Sequence, residues 1–155
     1  MAELVRPTAE AVLHVASRLR ESDAREIFAC RWWDAGAEEL AADVMAVPGM
    51  AWVVLANDGE PVAVIGARPA WPGVWTVFAF GTPRWSEVVR TMTKHVRRFM
   101  IPALRAAGAR IAMCYADRAH HASCRWLSAM GARAEALHEG WGREGEDFIM
   151  FAWRA

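Results

Sequence analysis

The chain is poor in several things that would settle its class at once. It has one Lys (Lys94) against 17 Arg, one Tyr (Tyr115), and three Cys (Cys30, Cys114, Cys124) with no CxxC pair. So sparse and odd a cysteine set argues against a disulfide framework and a zinc ribbon, and for a reducing compartment. Apolar runs such as Ala51–Ala56 and Val74–Phe80 are too short to cross a bilayer, and the first residues lack the basic and apolar regions of a secretion signal. Net charge is absent too: 18 Lys and Arg balance 18 Asp and Glu, so no bulk charge attracts nucleic acid or an anionic membrane. No linker, repeat or low-complexity tract divides the 155 residues, and residues 1–155 read as a single domain with a core of its own.

What is present is unevenly placed. Residues 1–80 carry 6 basic and 11 acidic side chains, a balance of −5, and residues 81–155 carry 12 and 7, a balance of +5. The halves either pack on each other, stay solvated, or meet head to tail between copies. Nine Trp form the other excess. Trp52, Trp75, Trp126 and Trp153 fall inside predicted elements and read as core. Trp32, Trp33, Trp71, Trp85 and Trp141 fall at turns and helix ends, where Trp, like Arg, often anchors contacts.

Periodicity gives the element order. Leu4–Arg6 reads as a strand stopped by Pro7. Thr8 is placed to cap a helix over Ala9–Leu19, and Ser22 to cap a second running to Cys30–Trp33. Glu38–Val47 is a third helix, ended by Pro48-Gly49. Met50–Ala56 and Val62–Ala67 flank Asn57–Pro61 as a hairpin, and Val74–Phe80 is the next strand beyond a 69–73 loop. A long helix over Ser86–Ala107 gathers Val88, Met92, Val96, Phe99 and Met100 on one side and Arg90, Lys94, Arg97, Arg98 and Arg105 on the other, with a bend expected at Pro102. The basic stripe is either a solvated face or one that touches nucleic acid or cofactor phosphates. Ile111–Ala116 is a strand, Asp117 is placed to cap a helix ending at Met130-Gly131, and Ala132–Glu139 and Phe148–Trp153 form a final hairpin. The result is an α/β fold with a mixed central sheet and flanking helices.

This order resembles the GNAT (N-acetyltransferase) fold. The strand–helix–Gly–strand segment Ile111–Glu139 carries most of the likeness. More narrowly, Val74–Trp153 is similar to the GNAT-like internal virion protein A family of short-tailed bacteriophages. That likeness rests on Trp75, the basic long helix, the Asp117–His120 turn, Arg125–Ala132, Leu137–Glu139 and Phe148–Phe151.

The GNAT resemblance implies an acetyl-CoA pyrophosphate on backbone N–H groups of a Gly-rich loop opening the long helix. Here that loop is Phe80–Ser86, with Gly81, Thr82, Arg84 and Ser86 as the candidate binders. It has one Gly where two are wanted, Pro83 removes a donor, and Trp85 adds bulk. Asp117 is either a further cofactor contact or a plain helix cap. The resemblance also implies a Tyr as acid for the departing thiolate, four residues before Gly131, where Leu127 stands. It implies an acceptor base near the central strands, yet Val74–Phe80 has no carboxylate or His, so no catalytic residue is assigned.

His120 and Cys124 share a helix face, but Cys114 and His138 lie on other elements, and no metal site is expected. His120-His121 reads as an exposed helix start. The expectation that follows is a phage virion-assembly protein. It would keep the GNAT-like sheet without catalysis and without a cofactor, and act through contacts with other phage structural proteins or copies of itself. It would have no sequence-specific nucleic acid and no membrane anchor, and would act in the host cytoplasm during assembly and in the virion. The alternative is an acetyl-CoA-dependent N-acyltransferase, in which Ser128 or water serves the thiolate.

Overall fold

The fold is described from a computed structural model, over residues 1–46 and 49–155. Three helices follow a short first strand: β1 (Glu3–Val5), α1 (Ala9–Ala16), α2 (Glu21–Ala29) and α3 (Ala37–Ala46). Thr8 caps α1 as expected, its hydroxyl accepting from the Ala11 N–H at 3.2 Å. Ser22 does not cap α2. That helix starts at Glu21, and the residue before it, Arg20, is held by donating its backbone N–H to the Gly81 carbonyl at 2.9 Å. The α2 helix also stops at Ala29, so Trp32 and Trp33 belong to the following loop. The stop expected at Pro48-Gly49 lies partly outside the described residues.

Strands β2 (Met50–Leu55), β3 (Pro61–Trp71) and β4 (Val74–Gly81) form a meander. The 69–73 segment is not a loop: β3 continues to Trp71 through a register shift and turns tightly at Pro72-Gly73. The long helix is three pieces: α4 (Trp85–His95), a π turn over Val96–Met100, and α5 (Ile101–Ala106). The distortion precedes Pro102. The proline cannot donate to the Arg98 carbonyl, and the turn widens until the Ile101 N–H reaches the Val96 carbonyl five residues back. Then come β5 (Ile111–Asp117), α6 (His121–Ala129), β6 (Arg133–His138) and β7 (Phe148–Arg154).

The sheet runs β1-β2-β3-β4-β5-β7-β6, antiparallel at every pairing except β4 with β5. Alternation along its strands feeds two cores. Val53, Val64 and Phe80 face α1 and α3, meeting Val12, Val15 and Leu40. Val54 and Ile65 point the other way, toward Val88, Met92, Met100 and Leu127 of the second helical layer. Each fully buried side chain of this kind contributes about 1.5–3 kcal/mol. Trp52, Trp75, Trp126 and Trp153 pack against the second core, while Trp32, Trp33, Trp71 and Trp141 are exposed. Among the described residues no helix is long and apolar enough to cross a membrane.

Candidate active site

The one parallel pairing is also the one that fails. β4 and β5 are in register over Val74–Thr76 and Ile111–Met113, then part. Backbone groups along a strand point alternately to opposite neighbours. Thr82 donates its N–H to Val62 on the β3 side, so Gly81 and Ala79 face the gap. On β5 the Asp117 N–H turns into the gap, and Tyr115 with it. Gly81 and Asp117 find partners on α2. Ala79 and Tyr115 have none among the described residues, so their N–H and C=O groups line a splay that a ligand can bridge. The splay belongs to a cavity of about 850 Å³, whose wall includes Phe78, Ala79, Trp85, Tyr115, Trp126 and Leu127. Trp75 lies off it, and the cavity stays open.

Two carboxylates one helical turn apart on α2 hold the arms of the splay. Asp23 Oδ2 accepts the Gly81 N–H at 2.8 Å, and Glu26 Oε2 accepts the Asp117 N–H at 2.9 Å. His120, buried before α6, joins them. Its Nδ1 is 3.1 Å from Glu26 Oε2 and its Nε2 is 3.8 Å from Asp23 Oδ1. Arg20 Nε completes the cluster 2.9 Å from Asp23 Oδ1. Burial raises the Asp23 carboxyl above its ordinary value and outweighs the opposing pull of Arg20, the Gly81 N–H and His120. Both Asp23 and Glu26 line the cavity, and Glu26 Oε1 has no partner among the described residues. Glu26 is thus a braced side chain on the cavity wall with one carboxylate oxygen left without a partner.

The expected binders are placed differently from the expectation. The Gly81 N–H is consumed by Asp23 and the Thr82 N–H by Val62, while the Thr82 hydroxyl accepts the Arg84 N–H at 3.3 Å. Arg84 is no free cation. Its guanidinium is held by Asp58 at 2.9 Å, Glu60 at 2.6 Å and Glu87 at 2.7 Å, which raise its already high pKa. Two of these pairs join the basic and acidic halves of the chain. Among N–H groups from Gly81 to Glu87, that of Ser86 is left without an acceptor among the described residues.

Trp85 folds back over Gly81, where a Cβ would stand 2.6 Å from the indole. It meets Trp126 edge-on at 5.5 Å, with the Arg20 guanidinium 4.2 Å from its ring centroid. Asp117 is buried but does not cap α6, which starts at His121. Its carboxylate holds the Ala119 N–H at 2.9 Å and meets Arg25 at 3.3 Å. His120 is buried, not exposed, and serves Glu26.

Leu127 lines the cavity but is silent as an acid, and Ser128 is exposed and off the wall. The hydroxyls that do line it are those of Tyr115 and Ser123. Cys114 also lines it, and burial pushes its thiol up to about 12, which favours the protonated form at neutral pH.

Sequence reasoning missed Asp23, Glu26 and His120 as a group. A signal was present: Asp23, Glu26 and Ile27 fall on one stripe of α2, with Cys30 just past its end, so two acids share a face with an apolar residue that must point inward.

No protein-family model matches the chain, and no curated protein matches it in sequence. Solved structures match over nearly all of it. The GNAT superfamily phosphinothricin acetyltransferase from Sinorhizobium meliloti, solved in complex with acetyl-CoA, superposes with a TM-score of 0.75 at 16% identity, covering 99% of this chain and 88% of that one. Ard1 from Thermoplasma volcanium gives 0.77 at 10% identity, covering 99% and 97%. The ribosomal-protein-S18-alanine N-acetyltransferase from Escherichia coli gives 0.70 at 14%, covering 99% and 94%.

These neighbours overturn the expectation of a virion-assembly protein without catalysis. They are acetyltransferases, and nothing found links the chain to phage internal virion proteins. The physical reason lies in the site. A carboxylate is absent from Val74–Phe80, but α2 brings two, Asp23 and Glu26, to the same cavity. The open splay between β4 and β5, with the sheet and helices around it, gives this chain the fold of the GNAT N-acetyltransferases.

Proposed function

We propose that the chain transfers an acetyl group from acetyl-CoA to an amine. The observation that carries this reading is the splay itself. Two unpaired strand edges, Ala79 and Tyr115, face a cavity of about 850 Å³ into which α2 presents a braced carboxylate, Glu26. Acetyl-CoA supplies the acyl group as an activated thioester. The amide-bearing arm of that molecule matches edges that offer one donor and one acceptor per residue. The N–H groups of Ser86, Ala122 and Ser123, near the starts of α4 and α6, have no acceptor among the described residues. With Arg20 on the wall, they replace the expected Gly81 and Arg84 as anion partners.

Glu26 Oε1 takes the proton of the acceptor ammonium. The freed nitrogen attacks the thioester carbonyl, a C–N bond forms and the C–S bond breaks, and the thiolate leaves with a proton. His120 and the Asp117 N–H fix the Glu26 carboxylate, so its free oxygen keeps one direction. Tyr115 and Ser123 are the hydroxyls on the wall for the returning proton.

Calorimetric titration with acetyl-CoA tests the reading. Binding in the micromolar range is expected, with thiol release once an amine is added. Absence of binding at millimolar concentration overturns it.

A further inference from the structure

Resting on the acyl-transfer reading, we infer that the acceptor is an arylalkylamine, a primary amine carried on a flat aromatic body. Three rings gather where β5, β6 and the loop before β7 meet. Tyr115 and Trp141 are nearly parallel, 11° apart in plane with centroids at 5.7 Å. His138 sits 4.7 Å from Trp141 and 5.5 Å from Tyr115. Trp141 is 52% exposed and Tyr115 38%, so broad ring surface is uncovered.

The cluster is fixed to the helix that carries Glu26. The Arg143 backbone N–H donates to the Ala29 carbonyl at 2.7 Å, at the end of α2. Its Nη1 donates to the Trp32 carbonyl at 3.1 Å, and its guanidinium stands 4.3 Å from the Trp33 ring centroid. Tyr115 and Trp32 line the same cavity as Glu26.

Charge points the same way. The loop holding Trp141 has Arg143 against Glu144, Glu146 and Asp147; the Arg143 side chain is already spent on Trp32 and Trp33, and Asp147 is met by Arg118 at 3.6 Å, which leaves Glu144 and Glu146. A cationic amine is drawn toward Glu26, and its aromatic body lies against rings instead of water. An aliphatic amine has the same head group but gains nothing from parallel ring faces. The mechanism of transfer makes no use of Trp141 or of the pinning loop, and a specificity role accounts for both.

The test compares 2-phenylethylamine with butylamine as acceptors, by thiol release from acetyl-CoA. The KM for phenylethylamine is expected to be lower by about tenfold, the scale of one good ring contact. Trp141→Ala should raise the KM for phenylethylamine far more than that for butylamine, with kcat little changed. Trp141→Phe should restore most of the difference, and Trp71→Ala, at the β3–β4 turn beside the start of β5, at the other end of that strand from Tyr115, should change neither. Equal KM values for the two amines, or equal effects of Trp141→Ala on both, overturn the inference. Calorimetry separates this failure from failure of acyl transfer. Phenylethylamine should bind the protein alone, and more tightly than butylamine, whether or not acetyl-CoA binds. If it does not, the aromatic rim is not an acceptor site.

Discussion

Replacing Glu26 by Gln is the sharpest perturbation of the site. Glu26 Oε2 accepts from the Asp117 N–H at 2.9 Å and lies 3.1 Å from His120 Nδ1, while Oε1 is free. A glutamine amide keeps the volume and can place its oxygen where Oε2 stands, so both braces survive. What is lost is the negative charge and the free oxygen that takes the proton. A positioned general base contributes about 10²–10⁴-fold, so kcat should fall by at least about two decades, or roughly 2.7 kcal/mol of barrier. Because the braces remain, the cost in folding stability should stay near about 1 kcal/mol, the scale of one altered hydrogen bond. The assay is thiol release with saturating acetyl-CoA and an amine, followed against pH, with thermal melting in parallel. The variant should recover as pH rises, because free amine then forms without help from the protein. A variant with wild-type kcat at neutral pH and an unchanged melting point refutes Glu26 as the base.

Two further outcomes follow from the electrostatics. Burial raises the folded Asp23 carboxyl above its ordinary value of 3.8, so between the two values the folded state holds a proton that the unfolded chain has released. Stability from this group is therefore present at low pH and declines as pH rises through that window. Asp23→Asn removes the decline, so the melting difference between variant and wild type should shift in the variant's favour from acid to neutral pH; parallel curves refute it. Arg84 is bound by Asp58, Glu60 and Glu87 and faces away from the expected phosphate role, so Arg84→Ala should leave acetyl-CoA affinity unchanged. It should lower the melting midpoint, more at low than at high ionic strength; loss of acetyl-CoA binding refutes this placement.

Much of the fold was legible because its signals are local. Thr8 caps α1, the hairpin around Asn57–Pro61 forms, and the apolar stripe of α4 packs Val88 and Met92 into the core. The misplacements came where a distant partner decides. The α2 helix starts at Glu21 and not at Ser22, because Arg20 is tied to Gly81, far along the chain. Asp117 looks like a cap from its neighbours, yet its N–H is taken by Glu26 and α6 begins only after His120. Arg84 looks like a free cation at a helix start until the β2–β3 turn brings Asp58 and Glu60 to it. The bend read at Pro102 is real, but the strain is absorbed upstream, as a wide turn over Val96–Met100.

By itself the sequence determined the order of elements, the mixed α/β class and the buried faces of α1 and α4, since these depend on spacing within a few turns or strands; Phe99, read on the apolar side, is exposed in the widened turn. It also showed that the loop after β4 lacks one backbone donor at Pro83 and carries the bulk of Trp85. Only the tertiary structure brought the residues of the candidate site together. The splay appears when β4 and β5 stop pairing after Thr76 and Met113, and Asp23, Glu26 and His120 meet there from segments 94 residues apart at their closest hydrogen-bonded pair. No spacing rule encodes such a meeting, because the partners of each side chain come from distant segments. Their common function depends on two strand ends that need hydrogen-bond acceptors and on the one helix placed to supply them.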